Sequence, residues 1–143
     1  MAIVKRMAFS PFTPAQMYAL VNDVPSYPSF LPWCSDATVL SQDENTMQAR
    51  LTAKKGHFDY AFTTENRLQA NRAIEIHLVD GPFKKLHGHW RFEPADGGCL
   101  VTLALEFAFP GRVLGAALTV AFKPIADSFV EAFRKRAYVV YGR

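Results

Sequence analysis

Cysteine is scarce in this chain: only Cys34 and Cys99 occur, far apart and in no C-x-x-C pair. That excludes a disulfide framework and a cysteine-rich zinc site, and makes reduced thiols the expectation. Charge of one sign is nearly missing as well. Against 16 Lys and Arg stand 13 Asp and Glu, a net charge of +3, while half the residues are apolar. Intrinsic disorder is thereby excluded, and the small basic excess leans only slightly towards anionic partners. No G-x-x-x-x-G-K phosphate loop is present. Long apolar runs are lacking too: Val113 to Phe122 is broken by Gly115 and Thr119 and falls short of the ~20 residues of a membrane span. Ile3 and Val4 meet Lys5 and Arg6 at once, which leaves no apolar core for a secretory signal. The cytoplasm is the expected location.

What is present suits one domain over residues 1–143. A chain of this size buries roughly 68–70% of its unfolded surface, enough for a core without metals or disulfides. Phenylalanine is as frequent as leucine, at 12 each, so the core is unusually rich in rigid rings. Met1 to Phe9 reads as a strand. Thr13 is an N-cap with Pro14 at the first helical position, and Met17, Leu20, Val21 and Val24 form the stripe of a short helix. Pro25, Pro28 and Pro32 then interrupt a stretch that carries Tyr27, Phe30, Leu31 and Trp33, although loops are normally polar.

From Asp36 to Pro110 the period is two. Met47 to Ala53, Phe58 to Phe62, Ile74 to Leu78, Leu86 to Phe92 and Val101 to Phe109 alternate, separated by turns such as Lys55-Gly56 and Asp96-Gly97-Gly98. After Pro110-Gly111 the period returns to 3.6, with Leu114, Leu118, Phe122, Ile125, Phe129 and Phe133 on one side of a helix ending near Tyr141. Pro124 is expected to kink this helix or to begin its second segment. The fold class is α+β: a curved antiparallel sheet gripping one long C-terminal helix.

Chemistry is thinly supplied. His87 and His89 share a strand face that His77 can join, but Lys85 and Arg91 on the same face oppose a cation, so no metal site is expected. Asp59, Glu65, Asp80 and Glu106 fall on outward or turn positions, and no spacing puts a nucleophile beside an orienting base. No catalytic residue is assigned. Cys34 reads as a small buried apolar residue. Lys54, Lys55, Lys84 and Lys85 are candidates for contact with RNA phosphates, with solvated lysines as the plainer account. The inward rings either interlock as a core or leave an apolar hollow, with the proline-rich stretch as its lid. Both readings stay open at this stage.

Two segments resemble a known family. They are Val21-Asn22-Asp23-Val24-Pro25-Ser26-Tyr27-Pro28-Ser29-Phe30-Leu31-Pro32-Trp33-Cys34 and Val79-Asp80-Gly81-Pro82-Phe83-Lys84-Lys85-Leu86-x-Gly-x-Trp90-x-Phe92. They are similar to the coenzyme Q-binding START-like family, in particular to its bacterial branch of ribosome association toxins. The resemblance implies a helix-grip fold of about seven strands with an apolar tunnel between sheet and helix. It implies two functions. One is non-enzymatic binding of a long apolar ligand, ubiquinone or a similar isoprenoid lipid, in support of respiration, with no cofactor required. The other is binding to the large ribosomal subunit, which blocks subunit association and inhibits translation. Tunnel candidates are Phe30, Leu31, Trp33, Phe58, Tyr60, Phe62, Leu86, Trp90, Phe107, Leu118, Phe122, Ile125 and Phe129. A transient contact with the inner-membrane surface through Tyr27 to Trp33 is a further expectation, and no DNA partner is expected.

Overall fold

Thr13 opens the first helix as its side chain dictates. The Gln16 N–H donates to Thr13 Oγ1 at 3.1 Å and the Thr13 N–H donates back to Gln16 Oε1 at 2.9 Å, a reciprocal cap. The computed structural model describes residues 1–142. Strand β1 (Ala2–Ser10) leads into α1 (Pro14–Asn22), and the prolines that follow wind into a 3₁₀ turn, Val24–Ser29. Six strands come next: β2 (Cys34–Gln42), β3 (Thr46–Lys55), β4 (Phe58–Gln69), β5 (Ala73–Asp80), β6 (Lys85–Ala95) and β7 (Gly98–Ala108). Helix α2 (Val113–Ala137) closes the chain with a last π-turn, Tyr138–Gly142.

All pairings are antiparallel, in the order β1-β7-β6-β5-β4-β3-β2. The meander β2 to β7 therefore runs strand by strand, and β1 returns to pair with β7. Register shifts fall between Cys34 and Asp36, between Val39 and Ser41, and between Thr63 and Thr64. Bulges of this kind bend a sheet, and here they help it curl around α2. The concave face carries Phe58, Phe62, Trp90 and Phe107, all buried. From α2, Leu118, Phe122, Ile125, Val130 and Phe133 face them in one core cluster.

One alternative for Pro124 and one further expectation are corrected. Helix α2 is a single segment through Pro124, so Pro124 does not begin a second one; it is exposed, and the missing donor lies on the wet side, where the Val120 carbonyl can bond water instead. By length and composition the segment Val113–Gly142 is also long and apolar enough to cross a membrane. The interruptions at Gly115 and Thr119 do not lower its mean hydropathy below that of a span. In this fold its inner stripe fills the sheet.

A small apolar cavity and a basic sheet end

Packing between sheet and helix is nearly complete because the rings meet edge to face. Phe122 sits 4.9 Å from Phe107, 5.1 Å from Phe83 and 5.2 Å from Phe58 between ring centroids. Trp90 lies 5.4 Å from Phe133, and Trp33 lies 5.0 Å from Phe129. Such T-shaped pairs add roughly 0.5–1.5 kcal/mol each beyond area burial. What remains is a cavity of about 60 Å³. That is room for a few waters at roughly 10–15 Å³ each by this kind of measure. It is well below the ~300–1,000 Å³ of ligand pockets.

Phe62, Leu86, Trp90, Phe122 and Phe129 line this space, as the sequence suggests. The other tunnel candidates do not reach it. Phe58, Phe107, Leu118 and Ile125 pack behind the lining, and Tyr60 lies half-buried beside Phe58. Leu31 and Trp33 are buried in the core, while Phe30 is half-buried against Phe133 with the Arg136 guanidinium 5.0 Å from its ring centre. The proline-rich stretch braces α2, and its Val24 and Tyr27 form part of the cavity wall. Trp33 Nε1 donates to Ser128 Oγ on α2 at 3.1 Å, and the buried Tyr27 hydroxyl donates to the Val21 carbonyl. With Tyr27, Leu31 and Trp33 turned inward, this stretch has little apolar surface to offer a bilayer. Its rings are held by one another and by α2.

The tunnel candidates leave out Val21, Val24, Tyr27, Leu51, Ile74, Ile76, Leu103 and Leu105 in the wall, and with them Thr64 and Asn66. Thr64 Oγ1 donates to Asn66 Oδ1 at 2.9 Å, giving the apolar wall one polar spot. A signal for it existed: the alternation Phe58, Tyr60, Phe62 continues in step to Thr64 and Asn66. A polar residue on the inward phase of a strand marks a place where the interior is not purely apolar.

Cys34 is buried, with its thiol 3.4 Å from the Asp36 carbonyl oxygen. Burial pushes it up to about 11, so it stays protonated at neutral pH. On the convex face His87 Nε2 lies 2.7 Å from Glu106 Oε1, and His77 Nε2 lies 3.3 Å from Glu75 Oε1. Burial, with Arg91 and Lys5 nearby, holds His89 below the usual histidine range. Among the described residues no three His, Cys, Asp or Glu side chains converge to hold a metal ion.

The four candidate lysines are exposed at one end of the sheet, where β3 ends and β6 begins. They are not equivalent. Lys85 Nζ lies 3.9 Å from Glu106, whereas Lys54, Lys55 and Lys84 form no ion pair within 4.0 Å among the described residues.

A curved seven-stranded sheet closed by one long helix over an apolar cavity defines a helix-grip protein, with the START/Bet v 1-like fold. Residues 10–134 match the family described as polyketide cyclase / dehydrase and lipid transport, and the chain belongs to it. It is 41% identical over 140 residues to the ribosome association toxin RatA of Pseudomonas aeruginosa, covering 97% of each chain. It is 30% identical to the mitochondrial coenzyme Q-binding protein COQ10 homolog B of Xenopus laevis, covering 92% of this chain and 56% of that one. In structure it resembles the Zhui aromatase/cyclase of Streptomyces sp. R1128, with a TM-score of 0.87, 99% of each chain covered and 15% identity. At that identity the likeness speaks for the fold alone.

Proposed function

We propose that this protein acts by binding rather than by catalysis, and that it binds the large ribosomal subunit and hinders its association with the small one. The observation that carries the reading is the 41% identity, across 97% of both chains, with a protein named for ribosome association. The nearly filled interior favours a role for the outer surface. Lys54, Lys55 and Lys84, free of ion pairs among the described residues, are the first candidates to meet RNA phosphates, followed by Lys85. Phosphate contacts release counterions, so affinity should fall steeply with salt. The test is co-sedimentation with purified large subunits over a salt series. Lys84→Glu with Lys85→Glu is expected to weaken binding and to lower the log–log salt slope by about 2. Unchanged sedimentation in the double variant rejects this surface, and no sedimentation of the unaltered protein rejects the reading.

One observation favours a second reading, a small apolar guest. The cavity wall is apolar apart from the Thr64–Asn66 pair, the layout of a site that holds a lipid-like body and one polar head. An isoprenoid quinone gains ~0.8 kcal/mol per buried CH₂. It needs α2 to lift, because 60 Å³ holds no prenyl chain. No cofactor is required in either reading. Since Trp90 lines the cavity, a Trp33→Phe variant should show saturable fluorescence quenching by ubiquinone. A linear, unsaturable response removes the quinone.

A further inference from the structure

The outward face of α2 changes character along its length. Its second half is polar there, with Asp127, Glu131, Arg134 and Lys135. Its first three turns carry no charge on that side. Val113 is 85% exposed, Leu114 62% and Val120 74%, and Ala116 and Ala117 are also exposed between them. An exposed helix face normally carries polar residues, so this apolar stripe has no partner within the fold. Beside it lies a shallow groove of about 250 Å³, lined by Met1, Ala2, Phe109, Gly115 and Ala116 among others.

The charges around the stripe have one sign. Arg112 stands before it and Lys123 after it, both exposed. From Phe107 to Ala126 the chain has no acidic residue. The next one, Asp127, is held by Arg6 at 2.8 Å. A second copy of this chain suits such a surface poorly. An antiparallel two-fold pairing of the stripe sets Arg112 against Lys123, and a parallel one sets each cation against itself. An apolar stripe between two cations matches an interfacial helix instead, with its side chains in the acyl boundary and its cations at anionic headgroups.

The geometry points to a docking surface for an anionic lipid bilayer on residues 112–123. The experiment is flotation of the full chain with phosphatidylcholine vesicles containing about one-third phosphatidylglycerol. Binding is expected, weaker on phosphatidylcholine alone and weaker as salt rises. Leu114→Asp with Val120→Asp should lose about tenfold or more, and Lys123→Glu about fivefold or more. Thermal unfolding should stay as it was, because these side chains face solvent. Absence of flotation, or flotation undiminished in the double variant, overturns the assignment. So does self-association that these variants abolish without any flotation, which gives the stripe to a second copy.

Discussion

Phe122→Ala is expected to cost about 3–5 kcal/mol, the range for removing a buried phenyl ring. Phe122 is 2% exposed and touches rings from β4, β7, the β5–β6 loop and the segment after β7. No other helix residue can move into its place, because Leu118 and Ile125 are already buried on either side. Against a total stability of about 5–15 kcal/mol, such a loss is large. At ~2–4 °C per kcal/mol the melting temperature should fall by roughly 6–20 °C. The substitution also opens the 60 Å³ cavity into a larger space. An apolar void of about 150 Å³ stays dry and takes benzene, so benzene should restore part of the lost melting temperature in this variant and not in the parent. A cost below about 1 kcal/mol would show that the rings around Phe122 collapse freely, and that the interior is softer than its edge-to-face packing implies.

Gly88→Ala should be nearly as damaging, for the opposite reason. Gly88 lies mid-strand in β6, paired with Ile76 on one side and Leu105 on the other. A Cβ there would stand 2.1 Å from the Ala104 carbonyl oxygen and 2.8 Å from a Leu105 methyl group. The first of these is backbone in a central ladder and cannot swing aside as a side-chain end would. Overpacking of this sort costs about 1–3 kcal/mol and more where the backbone must shift. Urea unfolding should therefore show a lower midpoint with little change in slope. A midpoint equal to the parent's would mean that β6 and β7 can part locally without loss. This glycine marks the close approach of a neighbouring backbone, the usual reason for one inside a strand.

Much of this architecture is written in the order of residues. The period-two runs from Met47 to Phe109 became β3 to β7, and Thr13 with Pro14 began α1. Strand β2 was harder to read, since Cys34–Gln42 contains two register shifts and only Cys34 among its residues is fully buried. An edge strand with its face half exposed carries little alternation to detect. The proline-rich stretch announced a break but not its role. That Trp33 donates to Ser128, 95 positions away, depends on how the chain returns, which no local pattern encodes.

Composition and periodicity alone determined the α+β class, the curved sheet and the long helix in its grip, because each strand or helix reports its buried face through its own repeat. Tertiary structure alone decided how nearly the interior closes, since a void is the difference between facing surfaces and belongs to neither. It also decided which lysines keep their charge free, and turned Leu114, which the 3.6 repeat places on the inward stripe, out to solvent at the end of the sheet. Those outcomes depend on which segments meet, and hydrophobic burial is indifferent to direction until the partners are in place.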